Sequence, residues 1–102
     1  MPVMKEEVFG PVAVFVKFKE EVEALLIAND TPFGLGASIW TKDKDKALRI
    51  AAKIEAGSVF INQMVKSDPR LPFGGIKQSG YGRELAREGI LSFVNTKTIS
   101  IN

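Results

Sequence analysis

Few residues of this 102-residue chain are able to do chemistry, because it contains no cysteine and no histidine. That composition excludes thiolate nucleophiles, disulfides, and the commonest general base and metal ligand. What remains is carboxylates, hydroxyls, cations and glycine-shaped backbone. Three stretches concentrate them: Glu6-Glu7-Val8-Phe9-Gly10-Pro11, Ser67-Asp68-Pro69-Arg70, and residues 72–84, PFGGIKQSGYGRE.

The third stretch holds four of the nine glycines and runs into a charged, helix-competent segment from Arg83 to Glu88. A glycine-rich turn entering a helix can cradle an anion, since its free N–H groups and the helix dipole favour negative charge. Gly80 and Gly82 match part of a dinucleotide fingerprint. The third glycine, however, falls at Leu85, and the nearest strand signal ends far upstream at Ile61. Lys77 does not have P-loop spacing. A loop packed closely for structural reasons explains the same residues. The Glu6-Glu7 pair could serve acid–base chemistry or hold a ribose diol, with Phe9 against a flat ring. On extended backbone the two carboxylates point opposite ways, so only one faces a given site. A solvated charge pair is the simpler alternative. Ser67, Asp68 and Arg70 could orient a polar substrate, and an Asp-Pro turn accounts for them equally. Phe73 either walls a pocket or anchors its loop.

The elements that must position these residues alternate. Residues 12–18 are rich in β-formers with only Lys17 polar, which predicts a buried strand. Residues 20–28 have helical spacing through Val22, Leu25 and Leu26, and Asn29-Asp30-Thr31-Pro32 ends that helix. A second glycine loop, Phe33 to Gly36, precedes a strand over 37–40. Thr41 or Asp43 caps a helix running to about Ala56, with Ala47, Ile50, Ala51 and Ile54 inward and Gly57 as its terminating residue. Residues 59–61 predict a third strand, 83–92 a short helix with Leu85, Ala86, Gly89 and Ile90 inward, and 94–101 a last strand. The expected fold class is α/β, ordered β-α-β-α-β-loop-α-β with mostly parallel pairing.

The net charge of +2 comes from 14 basic and 12 acidic residues with interspersed signs, which argues against a nucleic-acid surface. No apolar run reaches membrane-spanning length and no signal-peptide core opens the chain. A soluble cytoplasmic chain without metal is expected.

Taken together, EEVFGPV, FINQ, SDPR and PFGGIKQSGYGRE, followed by a helix and a strand, resemble the C-terminal part of NAD(P)-dependent aldehyde dehydrogenases. INQMVKSDPRLPFGG is most similar to the succinate-semialdehyde branch. The resemblance implies that residues 1–94 belong to the family's catalytic domain and 95–102 to its oligomerisation strand. It implies that Glu7 binds the nicotinamide ribose and Phe9 packs by the nicotinamide. It places Phe73 on the aldehyde tunnel and Ser67 near the substrate's distal carboxylate. It also implies that the nucleophilic cysteine, the base and the NAD or NADP domain lie upstream. The chain alone is therefore expected to bind no cofactor and to have no catalytic residue. Homo-oligomerisation through the last strand and exposed apolar faces is expected. A companion chain carrying the rest of a split enzyme, or a self-associating non-catalytic module, are the other readings.

Overall fold

The computed structural model describes residues 2–102. A 3-10 turn at Pro2–Met4 comes first, and residues 5–20 then carry no regular element. Helix α1 spans Glu21–Asn29, with Glu21 and Glu23 in its first turn, where carboxylates complement the helix dipole. The Glu23 carboxylate also accepts from the Lys19 N–H at 2.9 Å, closing the entry to the helix. Strand β1 (Phe33–Gly34) follows, then β2 (Gly36–Ile39) and helix α2 (Lys44–Ala51). Asp43 caps α2, accepting from the Lys46 N–H at 2.9 Å, and Thr41 Oγ1 accepts from the Asp43 N–H at 3.2 Å. Strand β3 (Ser58–Ile61), strand β4 (Ile76–Lys77) and helix α3 (Ala86–Leu91) complete the order.

Two small sheets result. β2 and β3 run parallel from Gly36 opposite Ser58 to Ile39 opposite Ile61, and α2 forms the crossover. Asn62 continues this ladder with its side chain. Its N–H donates to Ile39 O at 2.8 Å, its Oδ1 accepts from the Thr41 N–H and its Nδ2 donates to Thr41 O, each at 2.8 Å. It does so at φ 54°, a conformation that asparagine tolerates better than most residues. β1 pairs antiparallel with β4.

The strand and helix types expected for 37–40, 43–51 and 59–61 form. Other expectations are corrected. The pairing is one parallel and one antiparallel ladder, not mostly parallel. Residues 12–18 and 94–101 form no strand, because no free strand edge in the described residues meets them. Helix α2 ends at Ala51 and not near Ala56, because the Asn29 side chain pins the following turn: its Nδ2 donates to Lys53 O and its Oδ1 accepts from the Glu55 N–H, both at 2.9 Å. Helix α3 starts three residues later than expected, since Glu84 instead pairs with Phe73. Val22, Leu26 and Ile90 face outward, each 68% exposed.

Ala47 is the one fully enclosed apolar side chain among the described residues. The radius of gyration is 17.4 Å, against about 13 Å for a compact domain of this length. The accessible surface is 8730 Å², roughly 3,000 Å² more than a compact monomer of this mass exposes. The excess lies in arms and faces that nothing in the chain covers.

The tightest backbone approach joins the start of β3 to the glycine loop. A Cβ at Gly57 would stand 1.7 Å from Gly74 O, a backbone atom that cannot swing aside. Gly57→Ala is expected to cost about 1–3 kcal/mol, read as a lower urea midpoint. A Cβ at Gly10 would meet nothing within 4 Å, so that position should accept alanine with an unchanged midpoint.

Candidate functional site

The glycine loop is held as a folded shelf by its own backbone and two cations. The Phe73 N–H donates to Glu84 O at 2.8 Å and the Glu84 N–H to Phe73 O at 2.7 Å, so the loop's two ends are tied. A side chain at Gly75 would collide with Ser79, at 2.4 Å. Arg83 Nη1 donates across the loop to Gly75 O at 3.0 Å and to Gly82 O at 2.6 Å. The Ala86 N–H reaches Pro69 O at 3.1 Å, joining the loop to the Ser67–Arg70 stretch.

Lys77 fastens the shelf to the rest of the fold. Its ammonium donates to Asn29 O at 2.9 Å and to Thr31 O at 3.1 Å, and meets Glu55 Oε2 at 2.7 Å. Asn29 O belongs to the last residue of α1, where unpaired carbonyls favour a cation. One lysine thus links α1, the turn after α2, and β4. Both cations of the glycine loop are spent on protein oxygens, and the helix that follows has only six residues. The loop is a packed structural shelf and not a phosphate cradle.

The structure places the four candidate residues as follows. Phe73 is half-buried between a cavity of about 810 Å³, shared with Tyr81 and Leu85, and one of about 350 Å³, shared with Val59, Phe60, Gln63, Lys66 and Asp68. Ser67 is exposed on the loop between the last two of these. Glu7 lines a separate cavity of about 440 Å³ with Thr31, Phe33, Gln78 and Ser79. Phe9 is 92% exposed. None of the described cavities is lined by more than one of the four. The polar neighbours Gln63, Lys66, Gln78 and Ser79 escape sequence reasoning, because no spacing marks them. Among the described residues no cluster of three carboxylates could hold a metal.

Glu7 and Phe9 are both open to solvent, two residues apart on a segment without regular structure.

Asp68 and Arg70 form the best-defined charge pair. Arg70 Nε donates to Asp68 Oδ1 at 2.9 Å, Nη2 to Oδ2 at 2.6 Å, and the Arg70 N–H to Oδ1 at 2.9 Å. The guanidinium bonds first, and the N–H bond second, hold the Asp68 carboxyl well below the usual carboxylate range. The SDPR stretch is thus an Asp-Pro turn locked by its own arginine, with Ser67 exposed at its head.

Two outcomes are expected. A depressed folded-state value means that the pair's contribution to loop order is complete above the ordinary aspartate pKa of about 4 and fades as pH falls below it. In Arg70→Gln the Asp68 carboxyl carbon should titrate near the ordinary range by NMR; an unaltered titration would contradict the assignment. Lys77→Met should lower the urea midpoint by the equivalent of about 1–3 kcal/mol, because it strips two carbonyls of a charged donor.

The same arrangement of elements and motifs occurs in known proteins. The pattern of the aldehyde dehydrogenase family matches residues 1–99. A probable succinate-semialdehyde dehydrogenase [NADP(+)] of Synechocystis is 57% identical over 100 residues, covering 98% of this chain and 22% of the relative. Succinate-semialdehyde dehydrogenase [NADP(+)] 1 of Mycobacterium ulcerans is 56% identical, covering 97% and 22%. The crystal structure of succinic semialdehyde dehydrogenase from Streptococcus pyogenes, in complex with NADP+, superposes with a TM-score of 0.94 at 50% identity, over 98% of this chain and 22% of that one. The chain spans about a fifth of the length of these relatives. Over nearly all of its own length, it belongs to the aldehyde dehydrogenase family.

Proposed function

We propose that this chain is a segment of an NADP- or NAD-dependent aldehyde dehydrogenase that oxidises succinate semialdehyde to its acid. The observation that carries the reading is the superposition itself. A TM-score of 0.94 over 98% of the chain means that even its uncovered arms follow the path of an NADP-complexed succinic semialdehyde dehydrogenase.

In this reading Glu7 accepts from the ribose hydroxyls and Phe9 lies against the nicotinamide. Their exposure suits groups whose partner surface belongs to another part of the enzyme. Phe73, held by its bonds to Glu84, walls the aldehyde path, and Ser67 donates to the substrate's distal carboxylate. The glycine shelf holds Phe73 through its backbone bonds to Glu84, and Ser67 directly precedes the turn locked by Asp68 and Arg70. Such pre-positioning is what lets a site favour one orientation of a small substrate.

The segment alone does no chemistry. Aldehyde oxidation through a covalent thioester needs a cysteine nucleophile, and this chain has no cysteine. A companion polypeptide supplying the cysteine and the cofactor domain would complete the site. Residues 95–102 would serve as a strand joining subunits into a homo-oligomer, which gives the exposed Ile99 and Ile101 a partner surface.

Purified chain mixed with succinate semialdehyde and NADP is expected to leave the absorbance of the reduced cofactor at the blank. Turnover above the blank would overturn the assignment of the reactive half to another segment.

A further inference from the structure

Among the described residues, Leu85 and Ala86 are the only consecutive non-glycine pair with positive φ, at 63° and 50°. Leu85, with ψ 174°, lies in a region that is essentially glycine's. Such backbone persists only where its surroundings over-determine it. On one side Glu84 is held in its pair with Phe73. On the other, the Gly89 N–H donates to Leu85 O at 2.8 Å, and a Cβ at Gly89 would stand 2.9 Å from the Glu84 carbonyl carbon. The chain therefore turns from the glycine shelf into α3 within two residues, and the positive φ values make that turn. Ala86 is the first residue of α3, so its N–H has no partner inside the helix. The turn aims that N–H at Pro69 O, 3.1 Å away.

What the bond holds is the stretch 63–71. It carries no regular element, and all its residues but Asp68 are exposed. Among the described residues its hydrogen bonds are internal, Asp68 with Arg70 and Leu71, except the one from Ala86. Val65 is a second anchor: a Cβ at Gly36 would stand 2.8 Å from its Cγ1, so it rests on the start of β2. Ser67 lies midway between Val65 and Pro69 in the sequence.

We propose that Ala86 is a positioning residue whose strained turn latches the 63–71 loop through Pro69 and so sets where Ser67 stands. The latch follows from the backbone geometry; its consequence for a substrate rests on the role of Ser67 in the proposed function. Two substitutions at one position separate the strain from the bond. Ala86→Gly keeps the N–H and adopts positive φ without steric cost. Ala86→Val sets a β-branched side chain where it is an outlier, which turns the N–H away.

Nitrogen-15 relaxation and amide exchange on the full 102-residue chain read the latch directly. In Ala86→Gly the amide of residue 86 should stay protected, residues 66–70 should keep their order parameters, and the urea midpoint should rise. In Ala86→Val that amide should exchange about tenfold faster, as befits one lost hydrogen bond. Order should fall at 66–70 and hold in β2 and β3. With the segment grafted into the Synechocystis relative, Ala86→Val should raise the KM for succinate semialdehyde about tenfold and leave kcat within about twofold, the mark of a lost binding contact. The KM for butanal, which has no distal carboxylate, should not change, and Ala86→Gly should match the unaltered graft for both aldehydes. Unaltered order at 66–70 in Ala86→Val would overturn the latch. So would a lower midpoint or a disordered 66–70 in Ala86→Gly, which decides the matter even where Ala86→Val does not fold. Equal rises in KM for both aldehydes would overturn the positioning of Ser67. A graft that oxidises butanal but not succinate semialdehyde would contradict the proposed substrate and not the latch, which the relaxation data decide.

Discussion

Two backbones meet without intervening side chains at Gly57 and Gly74, and the ordered part of the molecule is built outward from that contact. It lets the glycine loop lie flat on the start of β3. β4 can then pair with β1, and the Gly57 N–H can reach Gly34 O at 2.9 Å. From there Lys77 reaches the end of α1 and the turn after α2. The density of glycine in 72–84 is thus a packing requirement first. Its functional consequence is indirect: a shelf with no slack fixes Phe73 on one side and the Asp68–Arg70 turn on the other.

Local signals carry the parts of the fold that local forces decide. Asp43 as a cap and the Ala47, Ile50, Ala51 stripe are readable because both act within α2. The end of α2 is not, since the Asn29 bonds that stop it join residues 24 and 26 positions apart. Lys77 gives no sign of its role for the same reason, its carbonyl partners being 46 and 48 residues away. Gly57 looks like a helix terminator in the sequence, although its constraint comes from Gly74. The two arms, 12–18 and 94–101, have the composition of strands. A strand needs an edge to pair with, and composition cannot say whether the chain contains one. Glu7, Phe9, Ser67 and Phe73 are legible only as a set of motifs; no spacing rule alone chooses them over Glu6 or Asp68.

The large uncovered surface and the incomplete site have one physical origin. The chain spans about a fifth of its relatives, and in the proposed reading its uncovered faces meet the rest of an enzyme. In the proposed reading its candidate residues bind and position, while the nucleophile is a cysteine, which the chain lacks. In that reading exposed Phe9 and half-buried Phe73 form one wall of a divided site.

The most direct test is a graft. The chain's 100 matching residues would replace their counterparts in the Synechocystis enzyme, which they resemble at 57% identity. The account predicts that the chimera reduces NADP with succinate semialdehyde, and that Glu7→Gln within the graft raises the KM for NADP. A folded chimera that binds NADP but leaves succinate semialdehyde unoxidised would contradict it.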